Sequence, residues 1–302
     1  MITGDISKFV NNIDGKIFFD FEIKKFNWFN IGGKVKIFFK PNSLKELIEF
    51  LKIYSNRGKI FMLGAGSNVL FKDEVFQGAI VKLGSKFSNI SILNKNTIVA
   101  GGATAQKKLS EFAKDNNIGG LEFMSCIPGT VGGGIRMNSG CFSKEFKDVL
   151  ISVQMIDYLG QIKTIPASKI NFKYRNIDIP KDFIFLSATF KGYFKNKINI
   201  EKYMNELKKK KEKAQPSKLK TGGSTFKNPI EQTKKKAWQL IKESVPNGIK
   251  FGDAEISEKH SNFFVNKKEA KYKDMKSLID FVRNKVQDKT AIKINLEIII
   301  VE

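Results

Sequence analysis

The sequence predicts an α+β protein of two or three modules, and three observations carry that reading. At 302 residues the chain is too long for one ordinary core and fits modules of roughly 100 residues each. Hydrophobic residues make up 41% of it, enough to pack such cores. Short apolar runs of strand length alternate with stretches whose apolar residues recur at helical spacing.

The elements follow in order. Lys34 to Lys40 alternates apolar and basic residues and stops at Pro41, a strand. Ser43 is placed to cap a helix running to about Asn56, with Leu44, Leu47, Ile48 and Leu51 on one face. Lys59 to Leu63 and Gly78 to Leu83 are short apolar strands. Asn96 to Ala100 is another; it leads through Gly101-Gly102-Ala103-Thr104 to a helix from Ala105 to Asn116, ended by Gly119-Gly120. Val149 to Tyr158 and Gln161 to Pro166 form a hairpin around Leu159-Gly160, and Phe183 to Lys191 is a strand. Asn199 to Lys213 is a lysine-loaded connecting helix, ended by Gln215-Pro216. A last unit holds helices Thr233 to Ser244 and Lys273 to Gln287, with strands Asn262 to Val265 and Ile292 to Val301.

Glycine is concentrated in two places. One is Leu63-Gly64-Ala65-Gly66-Ser67-Asn68-Val69-Leu70. The other is Ile127-Pro128-Gly129-Thr130-Val131-Gly132-Gly133-Gly134, followed by Asn138-Ser139-Gly140. Glycine lets backbone approach a bulky ligand, and successive N–H groups in such turns form nests that hold anions. Two such loops flanked by apolar runs point to a diphosphate held from two sides, a dinucleotide cradle. The first loop does not fit Gly-x-Gly-x-x-Gly, and no Walker lysine follows either loop.

The formal net charge of +23 is of the kind that binds nucleic acid or anionic surfaces. Yet only four of the 53 basic residues are arginine: Arg57, Arg136, Arg175 and Arg283. Lysine, asparagine, isoleucine and phenylalanine together are what A/T-rich coding favours, so the charge reads as composition on solvated faces. No specific nucleic acid is expected as a partner. No apolar run approaches the ~20 residues that span a bilayer. Met1 to Gly15 lacks a basic segment followed by an apolar core, so cytoplasm is the expected location. Cys126 and Cys141 make no disulfide framework and are expected to be reduced.

A few residues carry chemistry. His260 is the only histidine, which argues against a histidine metal site or a Ser-His-Asp triad and leaves it a packing role. Ser224, after Gly222-Gly223, is either a turn former or a hydroxyl beside a ligand. Arg175 is either a surface charge or a clamp on a carboxylate. Glu297 interrupts the run Ile294-Asn295-Leu296-Glu297-Ile298-Ile299-Ile300. A carboxylate there is costly unless paired or turned to a polar cavity. It is either an outward position on an edge strand or a group aimed into a site, with a raised pKa.

Several stretches, taken together, resemble the UDP-N-acetylenolpyruvoylglucosamine reductase (MurB) family. They are Asn30-Ile31-Gly32-Gly33, Leu63 to Asn68, Ile127 to Gly133, Asn138-Ser139-Gly140 and Tyr174-Arg175, then Gly223-Ser224-Thr225-Phe226-Lys227-Asn228-Pro229 and Ser257-Glu258-Lys259-His260. The match runs from about Asn27 to the C-terminus. The resemblance implies an FAD-binding fold of the vanillyl-alcohol-oxidase (PCMH) type: two α+β subdomains, 1–84 and 85–193, and a C-terminal α/β substrate-binding domain, 194–302. The short stretch from Tyr174 to Phe194 resembles the shorter subtype.

The implied reaction is NADPH-dependent reduction of UDP-N-acetylglucosamine enolpyruvate to UDP-N-acetylmuramate, by a monomer with FAD as cofactor. Carried over residue by residue, Ser224 matches the proton donor, and Arg175 and Glu297 match the groups that stabilise the intermediate. Glu297 would have to be protonated or to orient a partner, because an ionised carboxylate beside an enolate is repulsive. Gly64, Ala65, Gly66, Ser67 and Asn68, with Pro128, Gly129, Thr130, Gly132 and Gly133, are implied to line FAD. Tyr174, Lys227 and Asn228 are implied to touch the sugar nucleotide. The alternative is another FAD oxidase or dehydrogenase on the same cradle, which has no reason to carry Gly-Ser-Thr-Phe-Lys-Asn-Pro together with a terminal Glu.

Overall fold

The structure, a computed structural model, describes residues 4–302. Residues 1–3 of the stretch read for a leader lie outside the described residues. The chain divides into two compact units, one of residues up to 20, 36–65 and 77–210, the other of residues 21–35, 66–76 and 211–302.

In the first unit a four-stranded sheet runs in the order Lys16–Glu22, Lys34–Lys40, Phe76–Val81, Lys59–Met62. Its last two strands are parallel, with Met62 opposite Val81. The helix Leu44–Tyr54 connects Lys34–Lys40 to Lys59–Met62. Ser43 caps it as expected, its hydroxyl accepting from Glu46 N at 3.2 Å. The buried Glu46 carboxylate accepts from Asn42 N at 2.7 Å and from Asp14 N at 3.1 Å. Leu47, Phe50 and Leu51 pack against Phe39, Ala79 and Val81, with the rings of Phe39 and Phe50 4.5 Å apart. Leu44, expected on that face, is exposed.

The second sheet of this unit is antiparallel, in the order Ile162–Pro166, Leu150–Ile156, Ile184–Lys191, Thr97–Gly101, Ile90–Asn94. The hairpin around Leu159-Gly160 forms as read, with Gly160 at φ 84°. A core of Leu109, Phe123, Phe146, Val153 and Phe190 joins this sheet to the helix Gln106–Asp115. Ile156, Ile184 and Leu186 reach instead into the core of the first sheet, so the two sheets share it. The helix Gln106–Asp115 keeps the expected end, without needing Gly119-Gly120 to stop it. It closes at Asn116, and Asn117 takes φ 57°. A short amide side chain tolerates that left-handed turn better than most residues.

In the second unit the helices Ala237–Ser244 and Tyr272–Thr290 share a core with a three-stranded antiparallel sheet, Lys250–Phe251, Ala254–Ile256 and Phe264–Asn266. Leu240, Ile241, Phe264, Met275, Leu278, Ile279 and Val282 form that core, together with Phe29 and Ile31. The helix expected from Thr233 begins at Ala237, because Asn228 Oδ1 accepts Ala237 N at 3.0 Å. The strand expected over Ile292 to Val301 is only Ile299–Val301. Leu296 forms an antiparallel bridge with Phe226, and Ile299–Val301 then pairs parallel with Val69–Phe71. The chain changes partner and direction between them, so Glu297 lies on a bend and not inside a strand.

Candidate active site

In the first unit the two glycine stretches meet. A Cβ on Gly64 would lie 2.8 Å from Thr130 Oγ1, too close for any larger residue without movement. Below the first loop, Lys82 donates its ammonium to Gly64 O. Burial, and then the neighbouring charge of Lys40, hold the Lys82 pKa below the ordinary lysine value. Among the described residues the N–H groups of Gly64 and Ala65 donate to no protein acceptor.

The second stretch is not an open nest. Val131–Arg136 is a six-residue helix capped by Thr130, whose hydroxyl accepts from Gly133 N at 3.2 Å. Val131 N donates to Thr104 O at 2.8 Å, Gly132 N to Gly102 O at 2.9 Å, and Gly134 N to Thr130 O at 2.8 Å. These amides are satisfied by the Gly101 to Thr104 loop and by the helix itself, whereas the N–H groups of Gly129 and Thr130 donate to no protein acceptor among the described residues, so the part of this stretch left open to an anion is its start. The glycines differ in what they face. A Cβ on Gly132 would meet Gly102 O at 3.2 Å, and one on Gly134 would meet the Phe146 ring. Gly133 has only Thr130 Oγ1, at 3.5 Å, so it is the glycine of the three with room beside it. Pro128 and Gly129 precede the cap, Gly129 at φ 142°.

Tyr174 and Arg175 form the two-residue connection between the strands Phe172–Lys173 and Asn176–Ile177. Arg175 takes φ 54°, a conformation that costs a non-glycine residue on the order of 1 kcal/mol. Its guanidinium lies 5.1 Å from the Tyr174 ring centre and donates to Gly140 O at 3.3 Å. Buried Asn138 holds the hairpin, donating to Lys173 O at 3.3 Å and to Glu145 at 3.0 Å. The Asn138-Ser139-Gly140 motif is thereby the support of Tyr174-Arg175.

The second unit gathers Ser224, Lys227, Asn228, Glu297 and Asn68. Ser224 bridges Phe263, Thr225 N donates to Asn262 O at 2.8 Å, and Phe226 N donates to Asn262 Oδ1 at 3.0 Å. The Asn262 amide returns a bond to Phe226 O at 2.8 Å. Glu297 N donates to Thr225 O at 2.8 Å, and Asn68 Nδ2 donates to Glu297 O at 3.1 Å. Lys227 N is fixed on Asn295 O at 2.8 Å. The serine and glutamate segments are therefore one hydrogen-bonded layer, with Asn68 as its third member. Ser224 is half-buried, and its hydroxyl has no protein partner among the described residues. Gly223 before it takes φ 80° beside open space, with nothing within 4 Å of where a Cβ would stand. His260 packs edge-on against Phe263 at 4.7 Å, and burial lowers its pKa.

Two functional supports escaped the sequence reading. Asn262, which splints the Ser224 strand, is buried, and its role depends on partners 36 residues away. Lys82 is one lysine in a chain with 53 basic residues. Its apolar neighbours Val81 and Leu83 were the available signal. Cys126 and Cys141 are not in a disulfide. No helix among the described residues is long and apolar enough to cross a membrane.

Residues 35–166 match the model of an FAD binding domain, and residues 215–301 match the model of the C-terminal domain of UDP-N-acetylenolpyruvoylglucosamine reductase. The chain is 60% identical over 294 residues to the UDP-N-acetylenolpyruvoylglucosamine reductase of Pelagibacter ubique (strain HTCC1062), covering 97% of each chain. It is 40% identical to that of Rickettsia canadensis (strain McKiel), covering 92% of this chain and 93% of the other. The crystal structure of the reductase from Thermus caldophilus superposes with a TM-score of 0.81 at 26% identity, over 96% of this chain and all of that one.

Proposed function

Since this chain belongs to the UDP-N-acetylenolpyruvoylglucosamine reductase family, we propose that Ser224, Arg175 and Glu297 are its catalytic residues. The protein is an FAD-dependent oxidoreductase of α+β, PCMH-type fold. It reduces the enolpyruvyl ether of UDP-N-acetylglucosamine with NADPH to give UDP-N-acetylmuramate, a step of peptidoglycan precursor synthesis. The N–H groups of Gly64 and Ala65, which have no acceptor among the described residues, the room beside Gly133, and the cation of Lys82 fit the diphosphate of FAD. Gly64, Ala65, Gly66, Ser67 and Asn68 hold it in our reading, with Pro128, Gly129, Thr130, Gly132 and Gly133. FAD, when bound, supplies the hydride chemistry.

The chain's own residues then do three things. Arg175 offers a fixed positive charge to the carboxylate on which negative charge accumulates. Glu297, protonated, donates to the same oxygens. Ser224 gives its proton to the neighbouring carbon. A hydroxyl is a weak acid, so this transfer needs the carbanion at hydrogen-bond distance in a site of low dielectric. Tyr174, Lys227 and Asn228 hold the sugar nucleotide. In this reading residues 1–84 and 85–193 serve the cofactor, residues 194–302 take the substrate, and the enzyme is of the shorter subtype, a monomer working in the cytoplasm.

One observation supports the site assignment above the rest: Glu297 N bonds Thr225 O, which ties the glutamate segment to the residue beside Ser224. The test is spectroscopic. The purified protein is expected to show a flavin spectrum that NADPH bleaches and the enolpyruvyl nucleotide restores. A protein that takes up no FAD, or a bleached flavin that the nucleotide leaves bleached, ends the reading.

A further inference from the structure

We propose that Lys82 is a cofactor-binding residue, its ammonium the counter-charge of the FAD diphosphate, acting from behind the Gly64 turn. The inference rests on the reading that Gly64 and Ala65 hold that diphosphate.

The geometry starts in the strands. Met62 and Val81 are opposite one another at the ends of parallel neighbours, and Leu63 N donates to Val81 O at 2.9 Å. Lys82 N donates in turn to Phe39 O at 2.9 Å on the strand to the other side. The lysine backbone is thus pinned at the level where the chain leaves the sheet as the glycine loop. From there its ammonium reaches the Gly64 carbonyl.

Nothing among the described residues balances that charge. Among the described residues no carboxylate pairs with Lys82, and its charged neighbour is a second cation, Lys40. An ammonium taken out of water without a counter-ion is unfavourable, and an apolar side chain would fill the same space without that cost. A role confined to packing therefore predicts methionine or leucine here. A cation makes sense if an anion arrives.

The peptide between Gly64 and Ala65 shows where. In a trans peptide the C=O and N–H point in opposite directions. The ammonium sits on the Gly64 oxygen, so the Ala65 N–H of the same peptide faces away from the lysine. That N–H has no protein acceptor among the described residues. The lysine thereby polarises an available donor and adds its own positive potential at the same point. Thr130 stands where a Cβ of Gly64 would be, its Oγ1 2.8 Å from that point. A diphosphate fits this combination of polarised donor and uncompensated cation.

The experiment uses the full chain stripped of flavin, with the variants Lys82→Met and Lys82→Arg. Equilibrium titrations follow FAD and, as a probe without phosphate, riboflavin. Lys82→Met is expected to weaken FAD by about tenfold or more and to flatten the salt dependence of its Kd, with riboflavin binding unchanged. Lys82→Arg is expected to restore most of the FAD affinity. The melting temperature of flavin-free Lys82→Met is expected to equal or exceed that of the parent, because a buried charge has been removed. A lowered melting temperature with unaltered FAD affinity would make Lys82 a loop support only. Equal loss of FAD and riboflavin binding would also overturn the proposal. The variant Gly133→Leu, at the cradle glycine with room beside it and checked for folding by circular dichroism, separates the two readings. If it binds FAD normally, the cradle assignment fails. If it loses FAD while Lys82→Met keeps it, only the role of Lys82 fails.

Discussion

Ser224 has a hydroxyl without a partner among the described residues, beside a glycine at φ 80° and next to Thr225 and Phe226, whose backbone bonds hold the segment. Ser224→Ala removes one proton donor and nothing that holds the loop. NADPH is expected to reduce its flavin at the parental rate, while reoxidation by the enolpyruvyl nucleotide slows by roughly 10²-fold or more. Stopped-flow absorbance of the two half-reactions decides this, and a collapse of the first would move Ser224 out of the donor role. His260 makes a second prediction at this scale. Burial holds its pKa below the ordinary value of about 6.5, so the unfolded chain takes up the proton first as pH falls. The stability from the neutral, buried ring is fully present above about pH 6.5 and is lost as pH drops through the lower folded pKa. Urea unfolding at pH 7 and pH 5 is expected to show a smaller acid loss in His260→Gln than in the parent; equal losses would mean the ring is not buried neutral.

Between residue and domain, the decisive element is the segment from Leu296 to Val301. Read as one strand it makes Glu297 an anomaly; as two short pairings joined by a bend it does not. Leu296 closes the layer with Phe226, Ile299–Val301 continues beside Val69–Phe71, and Glu297 stands where the two directions meet. Asn262 is the splint of the opposite side, bonding Thr225 and Phe226 through one backbone oxygen and both ends of its amide. Removing a buried amide that satisfies backbone groups costs about 1–3 kcal/mol. Asn262→Ala is therefore expected to lower stability by that amount. Its kcat is expected to fall further than its FAD content, since the lost bonds lie on the strand of Ser224. Retained kcat in a destabilised variant would show that the splint serves folding alone.

At the scale of the whole molecule, the formal charge of +23 meets an anionic nucleotide substrate and an anionic cofactor. Exposed charges beyond about 10 Å are screened at 0.1 M salt, so long-range attraction is an ionic-strength effect. KM for the nucleotide is expected to rise with added salt while kcat holds. A flat KM between low and physiological salt would leave the lysines as solvated composition without a steering role.

Much of the architecture was legible before folding. The Ser43 cap, the Leu159-Gly160 hairpin and the helix that became Tyr272–Thr290 each rest on local chemistry: a cap oxygen, a turn glycine, an apolar face. The family motifs were legible too, because ligand approach demands glycine, and a hydroxyl or a planar cation cannot be replaced by a neighbour. What stayed hidden depended on partners distant in the chain. The glycine-dense stretch reads as one open nest until the Gly101 to Thr104 loop is seen taking the N–H groups of Val131 and Gly132. Glu297 reads as a strand residue until two different strands are seen competing for its neighbours. Lys82 reads as one lysine of many until the loop above it and the missing carboxylate are both in view.

The amino-acid order alone thus determined the composition of the elements, the places where backbone must come close to a ligand, and the chemical types able to move a proton. Only the folded chain decided which of those groups share a layer, which N–H groups remain for a ligand, and which cation lacks a counter-ion. The reason is physical: propensity, caps and turns act over a few residues, whereas hydrogen-bond satisfaction and charge balance are properties of three-dimensional neighbourhoods.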